Sequence, residues 1–332
     1  MHGRIGVAIG GPTTDDALHA FETLAGRAGF VELRLDLFVE SADVTRLIEA
    51  RPCPIVVTCR AAIEGGKFNG TETERLDLLR HAAAHGAEYI DVEQFAFSTL
   101  GNIAPARGIV SNHDFSSMPV DLDARAAMIL EMGADVVKVA GMASDPIDIV
   151  PVLDVLAHAK VPTIAMAMGP AGVASRVLSL RYPQCLLTYA SINELAGTAP
   201  GQISLSTMEQ VYHAGSIDES TRFFGLIAPA SDAELIAEYN HRLAETGINA
   251  VCVPLPTNRP AGPLMLELIR HGFSGFHIHG PSQTSLTSDI DMQVLSTPGK
   301  GSINSVTVYE SRLSGSYVEN PRDQIDRWTA GS

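Results

Sequence analysis

The sequence has few cysteines and a shortage of positive charge, and each shortage excludes a class of protein. The 332 residues include four cysteines, Cys53, Cys59, Cys185 and Cys252, with no CxxC pair and no histidine cluster beside them. This pattern argues against a zinc site or a disulfide framework and favours reduced thiols in a cytoplasmic protein. Lysine and arginine number 23 against 38 acidic residues, a net charge of -15. That charge argues against nucleic acid or an anionic membrane as a partner.

The sequence also lacks long hydrophobic runs. The N-terminal stretch MHGRIGVAIGG has no apolar core of the kind found in signal peptides, and no later run is long enough to span a bilayer. The composition, 45% hydrophobic and 18% charged, predicts a folded globular protein. Its length suggests one large domain and one smaller domain. An anionic small substrate remains compatible with the acidic chain, because a few local arginines outweigh a distant, screened field.

Eight segments in the first two-thirds of the chain are patterned as strands, and helix-patterned segments separate most of them. They are RIGVAI (4–9), FVELRLDLF (30–38), PIVVTCR (54–60), EYIDVE (88–93), GIVSNH (108–113), DVVKVA (135–140), PTIAMAM (162–168) and CLLTYA (185–190). Eight strands joined by crossovers predict an α/β protein with a (β/α)8 TIM barrel. A doubly wound open sheet is the alternative. It would normally carry a glycine-rich phosphate turn after its first strand, and IGGPTTDD is not GxGxxG.

The character of the sequence changes after about residue 213. A polar linker, 214–222, precedes a smaller α/β segment with strands predicted in FFGLIAP, NAVCVPLP and GFSGFHIHG. The stretch SINSVTVYESRLSGSYVEN reads as a β-hairpin. We therefore predict a barrel over residues 1–213 and a second, smaller C-terminal α/β domain over residues 223–332.

Polar side chains collect where the predicted barrel strands end, which is where catalytic groups lie in this fold. A purely structural barrel would not need them. The second strand carries Glu32, Arg34 and Asp36; Arg60 and Glu64 follow the third; Asp91 and Glu93 end the fourth; His113 ends the fifth; Lys138 lies in the sixth; Met166 and Met168 end the seventh.

Of these residues, Lys138 gives the most specific indication of a reaction. Its neighbours Val137 and Val139 are apolar, so the strand is predicted to be buried on both sides. Burial destabilises an ammonium and lowers its pKa, which would leave a neutral amine able to form a Schiff base with a ketone or aldehyde. The alternative is a lysine that extends out of a strand end towards water.

His113 ends the strand that precedes the one with Lys138. Adjacent strands lie about 4.8 Å apart, so both side chains can reach one substrate. The histidine could then remove a proton alpha to the former carbonyl. A lone histidine is more often a hydrogen-bonded core residue, and it is the pair on neighbouring strands that favours chemistry.

Two further features lie near the predicted barrel mouth. Arg176, in AGVASRV, is a candidate carboxylate clamp because a guanidinium matches a carboxylate bidentately; the alternative is a solvated helix arginine. The stretch TAPGQI, from Thr198 to Ile203, contains a Pro–Gly turn signal. It suits a mobile loop over the mouth, with an ordinary connector as the alternative.

The first 210 residues resemble type I 3-dehydroquinate dehydratases. Any one matching motif is weak, but together they are highly specific and follow the family's order. They are ELRLD, VTCR followed by EGGKFNG and ETERLDLL, YIDVE, SNHDF, DVVKVA, MAMGPAGVASRV and TAPGQI. The resemblance implies a hydro-lyase of the shikimate or quinate pathway, and the family is commonly dimeric.

The resemblance also implies roles for single residues. Lys138 would form a Schiff base with the C3 ketone of 3-dehydroquinate. His113, oriented by Glu64, would take a proton from C2 and then help water leave from C1, which gives 3-dehydroshikimate. The iminium is the electron sink, so neither metal nor cofactor is required. The implied substrate-binding residues are Glu32, Arg34, Arg60 and Gln202 around the hydroxyls and carboxylate, Met166 and Met168 at the ring, Arg176 on the carboxylate, and Thr198 where the family often has serine.

The second domain resembles the substrate-binding half of shikimate dehydrogenase, but it departs from that family where function lies. The Ser-x-Ser motif is missing, and we expect no dinucleotide-binding half, because few residues follow the matching segment. Gln283 stands where that family has a lysine, and His277 and His279 stand where it has Asn and Thr. The family's later Asn-Thr-Asp triplet is replaced by Tyr317, Val318 and Glu319. We therefore expect a non-catalytic domain, either a structural or oligomerising appendage or a module that binds an unknown ligand.

Three functions stay open at this stage. The first is the Schiff-base dehydratase, with 3-dehydroquinate as the small-molecule substrate. The second is a bifunctional dehydratase and shikimate dehydrogenase. The third is a non-catalytic protein that binds pathway intermediates and signals through the second domain. The intact set of Lys138, His113 and Glu64 argues against the third.

Overall fold

Two β-sheets organise the computed structural model, which describes residues 3–193, 201–279, 293–296, 303–309, 312–318 and 321–329. The strands of the first sheet are β1 Ile5–Ile9, β2 Phe30–Arg34, β3 Ile55–Thr58, β4 Tyr89–Glu93, β5 Arg107–Asp114, β6 Val136–Met142, β7 Thr163–Met168 and β8 Thr188–Ala190. They are parallel and lie in the order β7-β6-β5-β4-β3-β2-β1-β8. A bridge between Thr163 and Cys185 joins β7 to the segment before β8. The sheet therefore closes into a barrel, and the predicted (β/α)8 fold is confirmed.

Helices connect the barrel strands and cover their outer face. They are α1 Thr14–Leu24, α2 Val44–Ala50, α3 Glu72–Ala84, α4 Phe97–Leu100, α5 Leu122–Glu131, α6 Val150–Ala157, α7 Val173–Leu178 and α8 Leu205–Gln210. Threonines cap the first turns of two of these helices. Thr13 accepts the backbone N–H of Asp16, and Thr71 forms a capping box with Glu74. Each cap satisfies backbone donors that have no partner inside the helix.

The second strand is shorter than predicted, so the prediction of a strand over all of residues 30–38 is wrong. β2 ends at Arg34, which pairs with Thr58, the last residue of β3. Residues 35–37 form a 3-10 turn, in which Asp36 accepts the backbone N–H groups of Arg60 and Lys67. Because β3 ends at Thr58, residues after Arg34 have no strand to pair with, and the chain turns. The hydrogen bonds of Asp36 connect this turn to the loop after β3.

The barrel interior is apolar in its lower part and charged at the carboxyl ends of the strands. The inward-facing apolar cluster includes Ala8, Phe30, Val56, Ile109, Val136, Ile164 and Leu187. Above it lie buried charged side chains from four different segments: Glu32, Arg60, Asp91, Glu93 and Lys138. The barrel interior thus has an apolar lower part and a charged cluster above it. The charged cluster lies at the end of the barrel where this fold carries its active sites.

The second sheet is smaller and mixed. Its strands are β9 Arg222–Ala228, β10 Ala250–Pro256, β11 Phe273–Ile278, β12 Gln293–Ser296, β13 Ser305–Tyr309 and β14 Arg312–Ser316, with helices α9 Ala233–Glu245, α10 Ala261–Arg270 and α11 Pro321–Thr329. The order is β10-β9-β11-β13-β14-β12. β13 and β14 are antiparallel, so the predicted hairpin is confirmed. In the described ranges, no helix is both long and apolar enough to cross a bilayer.

The predicted linker, 214–222, is folded onto the barrel. Residues 214–216 form a 3-10 turn, and Ile217 is buried. The Ile217 carbonyl accepts a hydrogen bond from the Arg4 guanidinium at 3.4 Å. The segment is therefore packed rather than a free tether.

The core of the second sheet is built around Trp328 of α11, which is fully buried. Its ring stacks on Phe224 with centroids 4.3 Å apart and meets Tyr239 edge-on at 5.4 Å. Trp328 is also the single tryptophan of the chain. Its fluorescence therefore reports on the integrity of this sheet.

We predict that Phe224→Ala destabilises the second sheet by about 3–5 kcal/mol, the usual cost of deleting a buried phenylalanine ring. The measurement is the denaturant midpoint of the Trp328 fluorescence transition. The matched control is Phe95→Ala, which removes a ring that is 54% exposed and should leave that transition in place. Equal midpoints in Phe224→Ala and wild type would contradict the packing described above.

Candidate active site

Lys138 lies at the centre of the charged end of the barrel and is 4% exposed. Its ammonium donates hydrogen bonds to Asp91 Oδ2 at 2.5 Å, to Glu32 Oε1 at 3.2 Å and to the Tyr189 hydroxyl at 3.2 Å. The same Nζ lies 4.7 Å from the centroid of the Tyr189 ring. Strands β2, β4, β6 and β8 thus each direct one side chain to a single point.

The prediction that burial lowers the pKa of Lys138 is wrong. Burial does act in that direction, but the carboxylates of Asp91 and Glu32 outweigh it, and the pKa of Lys138 is raised above its ordinary value. Burial would raise the pKa of Asp91, yet Arg60 and Lys138 together hold it far below its usual range. The resting site therefore holds an ammonium paired with carboxylates, and the amine must lose a proton before it can attack a carbonyl.

His113 and Glu64 form a second contact at the cavity wall. The Nδ1 atom of His113 lies 2.8 Å from Glu64 Oε2. Burial lowers the pKa of His113 well below its ordinary value, and the cations Arg60 and Lys138 add to this shift. The ring is therefore neutral at physiological pH. With the Nδ1 proton directed at Glu64, the Nε2 lone pair is available to act as a base.

Glu64 itself titrates in an unusual range. Burial raises its pKa to about 7, an effect that Glu93 and Asp91 reinforce and Arg60 opposes. The ionisation of Glu64 is thus poised close to neutral pH. Because the carboxylate orients the imidazole of His113, the basicity of that ring depends on pH through its partner.

Arginines link the cavity to the rest of the barrel. Arg60 donates to Asp91 at 2.8 Å, to Ser111 at 2.8 Å and to Glu93 at 3.2 Å. Glu93 in turn lies 2.7 Å from Arg75 of α3. Since these side chains are buried, removing one partner would leave a charge unmatched in a medium of low polarity.

Arg34 is held by a contact within its own segment. It binds Asp36 through two hydrogen bonds of 2.8 Å. Asp36 therefore neutralises the charge of Arg34. Arg34 still lines the cavity, so its guanidinium is presented there in a fixed orientation.

One cavity gathers most of the predicted site residues, but Arg176 and Thr198 are not among them. The predicted residues that line it are Glu32, Arg34, Arg60, Glu64, His113, Lys138, Met166, Met168 and Gln202. The prediction for Thr198 lies outside the described residues. Four further residues line the cavity without having been predicted: Gly65, Phe115, Ala140 and Tyr189.

Arg176 lies behind the cavity wall. It is fully buried, so the alternative of a solvated helix arginine is wrong. Its Nε donates to the carbonyl of Gly201 at 3.0 Å, and a terminal nitrogen lies 3.7 Å from Met166 Sδ. Burial lowers its pKa to about 10, so it stays charged at neutral pH. A substrate carboxylate would have to reach this guanidinium past Met166 and Gly201.

The residues that sequence reasoning missed differ in the signal they gave. Asp91 was not among the predicted site residues. Its position between the apolar residues Ile90 and Val92 of a predicted strand would have been sufficient reason to include it. Tyr189 gave none, because an aromatic residue in a short strand is ordinary core. Phe115 follows His113 by two residues, and its ring stacks on the histidine at 6.0 Å.

In the second domain, two of the positions that depart from the shikimate dehydrogenase pattern, His277 and His279, contact each other. Tyr239 binds His277 Nδ1 through its hydroxyl, and His277 Nε2 lies 3.1 Å from His279 Nε2. Burial lowers the pKa of His277 to about 3. Gln283 and Glu319 lie outside the described residues. Within the described ranges, no cluster of three or more His, Cys, Asp or Glu side chains could hold a metal.

Comparisons with known proteins agree on the barrel. The sequence model of the type I 3-dehydroquinase family matches residues 5–219. A bifunctional 3-dehydroquinate dehydratase/shikimate dehydrogenase from Arabidopsis thaliana is 34% identical over 240 residues, which cover 69% of this chain and 40% of that protein. A 3-dehydroquinate dehydratase from Desulfotalea psychrophila is 35% identical over 226 residues, which cover 64% of this chain and 98% of that protein. The chain therefore spans about two fifths of the plant protein and nearly all of the bacterial one.

Solved structures give the same fold. A type I 3-dehydroquinate dehydratase from Clostridium difficile, with covalently modified comenic acid, matches 63% of this chain and 90% of its own at 25% identity, with a TM-score of 0.54. A dehydroquinate dehydratase and shikimate dehydrogenase structure from S. pombe matches 95% of this chain and 64% of its own. At 21% identity and a TM-score of 0.55, the latter likeness shows the fold alone.

We predict that Asp91→Asn lowers the pKa of Lys138 by about 1–3 units, the usual effect of a close opposite charge. The measurement is the pH dependence of acetylation at Lys138, followed by peptide mass spectrometry on protein shown to be folded. Asp77→Asn, which alters an exposed carboxylate paired with Arg80, serves as the control and should leave the profile in place. An unaltered profile in Asp91→Asn would mean that this carboxylate does not hold the proton on Lys138.

Proposed function

The chain belongs to the type I 3-dehydroquinase family, and from that premise we propose that its barrel dehydrates 3-dehydroquinate to 3-dehydroshikimate through a Schiff base on Lys138. The observation that carries this proposal is the geometry of the cavity. A lysine held between two carboxylates and a neutral histidine held by a glutamate line the same space. That pairing supplies a nucleophile for a ketone and a base for the carbon beside it.

The first step of the proposed reaction forms the iminium. Lys138 transfers one proton to Asp91, its closest partner, and the amine attacks the C3 carbonyl carbon of the substrate. Asp91 then returns the proton to the carbinolamine hydroxyl, which leaves as water, so that a protonated imine and an ionised Asp91 remain. Asp91 and Glu32 face this cation just as they face the resting ammonium, so positive charge is stabilised at the same place throughout.

The second step eliminates water. His113 takes a proton from C2, and the C–H electron pair moves towards the iminium to give an enamine. Glu64 accepts the Nδ1 hydrogen bond and stabilises the imidazolium that forms. The enamine then expels the C1 hydroxyl, which leaves as water with the proton that His113 returns. Hydrolysis of the new iminium releases 3-dehydroshikimate and regenerates Lys138. The iminium serves as the electron sink, so the proposed reaction requires no metal or cofactor.

We assign substrate binding to the remaining residues of the predicted set. Arg34 and Arg60 present fixed guanidinium groups to hydroxyls and the carboxylate side, together with Glu32 and Gln202. Met166 and Met168 pack the ring. Arg176 and Thr198 are proposed for the carboxylate end, Arg176 because its buried charge lies directly behind Met166.

We propose that the second domain does not catalyse a reaction and that the boundaries are 1–213, 214–222 and 223–332. The contact between buried His277 and half-buried His279 supports this, because these residues stand where the shikimate dehydrogenase pattern has Asn and Thr. A bifunctional enzyme is the second candidate, favoured by the similarity to the bifunctional Arabidopsis relative. NADP-dependent oxidation of shikimate by the purified chain tests it, and we expect none.

A reducing compartment, the cytoplasm, is proposed for the protein. Its four cysteines are free thiols, and Cys59, Cys185 and Cys252 are buried. A homodimer is proposed from the family resemblance, and sedimentation of the purified protein would measure it.

We predict that borohydride reduction in the presence of 3-dehydroquinate traps a covalent adduct on Lys138, detected by the mass of the modified peptide. Lys138→Ala should lose both the adduct and turnover, because Lys138 is the one lysine among the described residues that line the cavity. Lys160→Ala, which changes an exposed lysine, should keep both. Full turnover in Lys138→Ala would rule out the Schiff base.

We predict that activity falls as pH decreases below about 7, because protonation of Glu64, whose pKa is about 7, removes the carboxylate that orients His113. The measurement is kcat against pH in wild type and in Glu64→Gln. The variant should have lower activity, by about 10²–10⁴-fold if the dyad acts as the general base, and should lose the inflection near pH 7. An inflection retained in Glu64→Gln would assign it to another group; Glu40→Gln, at an exposed glutamate, is the control.

A further inference from the structure

Helix α7 is buried on almost every side, which is unusual for the outer helix of a barrel. The outer faces of such helices normally meet water. Here every residue from 174 to 180 is buried, and Val173 is partly buried. Its sequence, VASRVL, is apolar around most of its circumference, as expected for a helix enclosed between two layers.

The second layer over α7 is the edge strand of the second sheet. β10 packs against α7 and against the turn 170–172 that precedes it. Helix α10 packs against the 3-10 turn 146–149, which follows β6. The second domain therefore covers the sector of the barrel that carries Met166, Met168 and Arg176.

A buried hydrogen bond joins the second domain to the barrel near the carboxyl end of β6. Thr257, the residue after β10, donates its hydroxyl to Asp145 Oδ2 at 2.7 Å, and both side chains are buried. Arg259 lies 3.5 Å from the same oxygen. Asp145 also caps the turn after β6 by accepting the N–H of Ile147 at 3.2 Å. One carboxylate therefore serves both domains.

A second anchor lies at the other end of α7. Arg181, just after the helix, donates to the carbonyl of His271 at 3.0 Å. The His271 ring in turn lies 3.3 Å from Asp154 of α6. The turn that Asp145 caps packs against α7 and against the turn 170–172 before it, so α7 is linked to the second domain through that turn and through Arg181.

We propose that the second domain is a positioning element for the substrate-binding wall of the barrel, and that Thr257 is a positioning residue that acts through Asp145. This inference rests on the proposed function. The domain holds α7 against β7, so that Arg176 keeps its contacts with Gly201 and Met166 and faces the anionic end of the substrate. The partners of Lys138, by contrast, come from barrel strands β2, β4 and β8. Weakening the contact between the second domain and the barrel should therefore weaken substrate binding while Schiff-base formation on Lys138 continues.

The test uses the full chain and removes one hydroxyl. Thr257→Val keeps the side-chain volume but cannot donate to Asp145, whereas Thr257→Ser can. We expect KM for 3-dehydroquinate to rise about tenfold in Thr257→Val, equivalent to about 1.4 kcal/mol, with kcat nearly unchanged. Thr257→Ser should behave as wild type. The control is Thr246→Val, which removes a hydroxyl bonded within the second domain, to the carbonyl of Leu243.

A readout independent of turnover separates this proposal from the proposed function. Amide hydrogen exchange over 173–178 should become faster in Thr257→Val and stay at the wild-type rate in Thr246→Val. An unchanged KM together with unchanged exchange would overturn the positioning role. So would a parallel loss of kcat and stability in both valine variants, because that pattern indicates general destabilisation. A wild-type chain that fails to dehydrate 3-dehydroquinate would overturn the proposed function, while the exchange experiment would still decide whether Thr257 holds α7.

Discussion

The upper half of the barrel depends on the matching of buried charges around Lys138. An ammonium in this environment is tolerated because Asp91 lies 2.5 Å from it and Glu32 lies 3.2 Å from it. Asp91 also binds Arg60, and Arg60 binds Glu93. Each of these charges would be strongly unfavourable alone, and breaking a buried pair typically costs about 3–5 kcal/mol. The strands are therefore tied together at the same place where the chemistry is proposed.

The same charges separate the protonation states of the two reactive groups. The carboxylates raise the pKa of Lys138, and burial with the neighbouring cations lowers the pKa of His113. The lysine thus rests as a cation, in a setting that also suits an iminium. The histidine rests neutral, as a base must. One charge arrangement accounts for both states, which is the logic by which enzymes obtain acid and base functions from neighbouring groups.

The sequence predicts the barrel well because its strands are local patterns of apolar residues separated by helices. It does not predict where β2 ends, because that is decided by the length of β3 beside it. It predicts that Lys138 is buried, but the sign of its pKa shift depends on Asp91 and Glu32, which approach it only in the folded barrel. Likewise, the residue type of Arg176 suggested a clamp, while its depth behind Met166 follows from the packing of α7.

On the proposed assignment, the second domain has no catalytic role of its own and serves to position the barrel. His277 lies on β11, in the interior of the sheet, and its Nε2 atom lies 3.1 Å from Nε2 of His279, the residue after that strand. The domain's contacts with the barrel lie instead on the edge strand β10 and at Thr257 just after it. Because the two sets of residues are in different segments, substitution of one set places no constraint on the other. A domain can then be retained for what it packs against, since fold alone does not determine function.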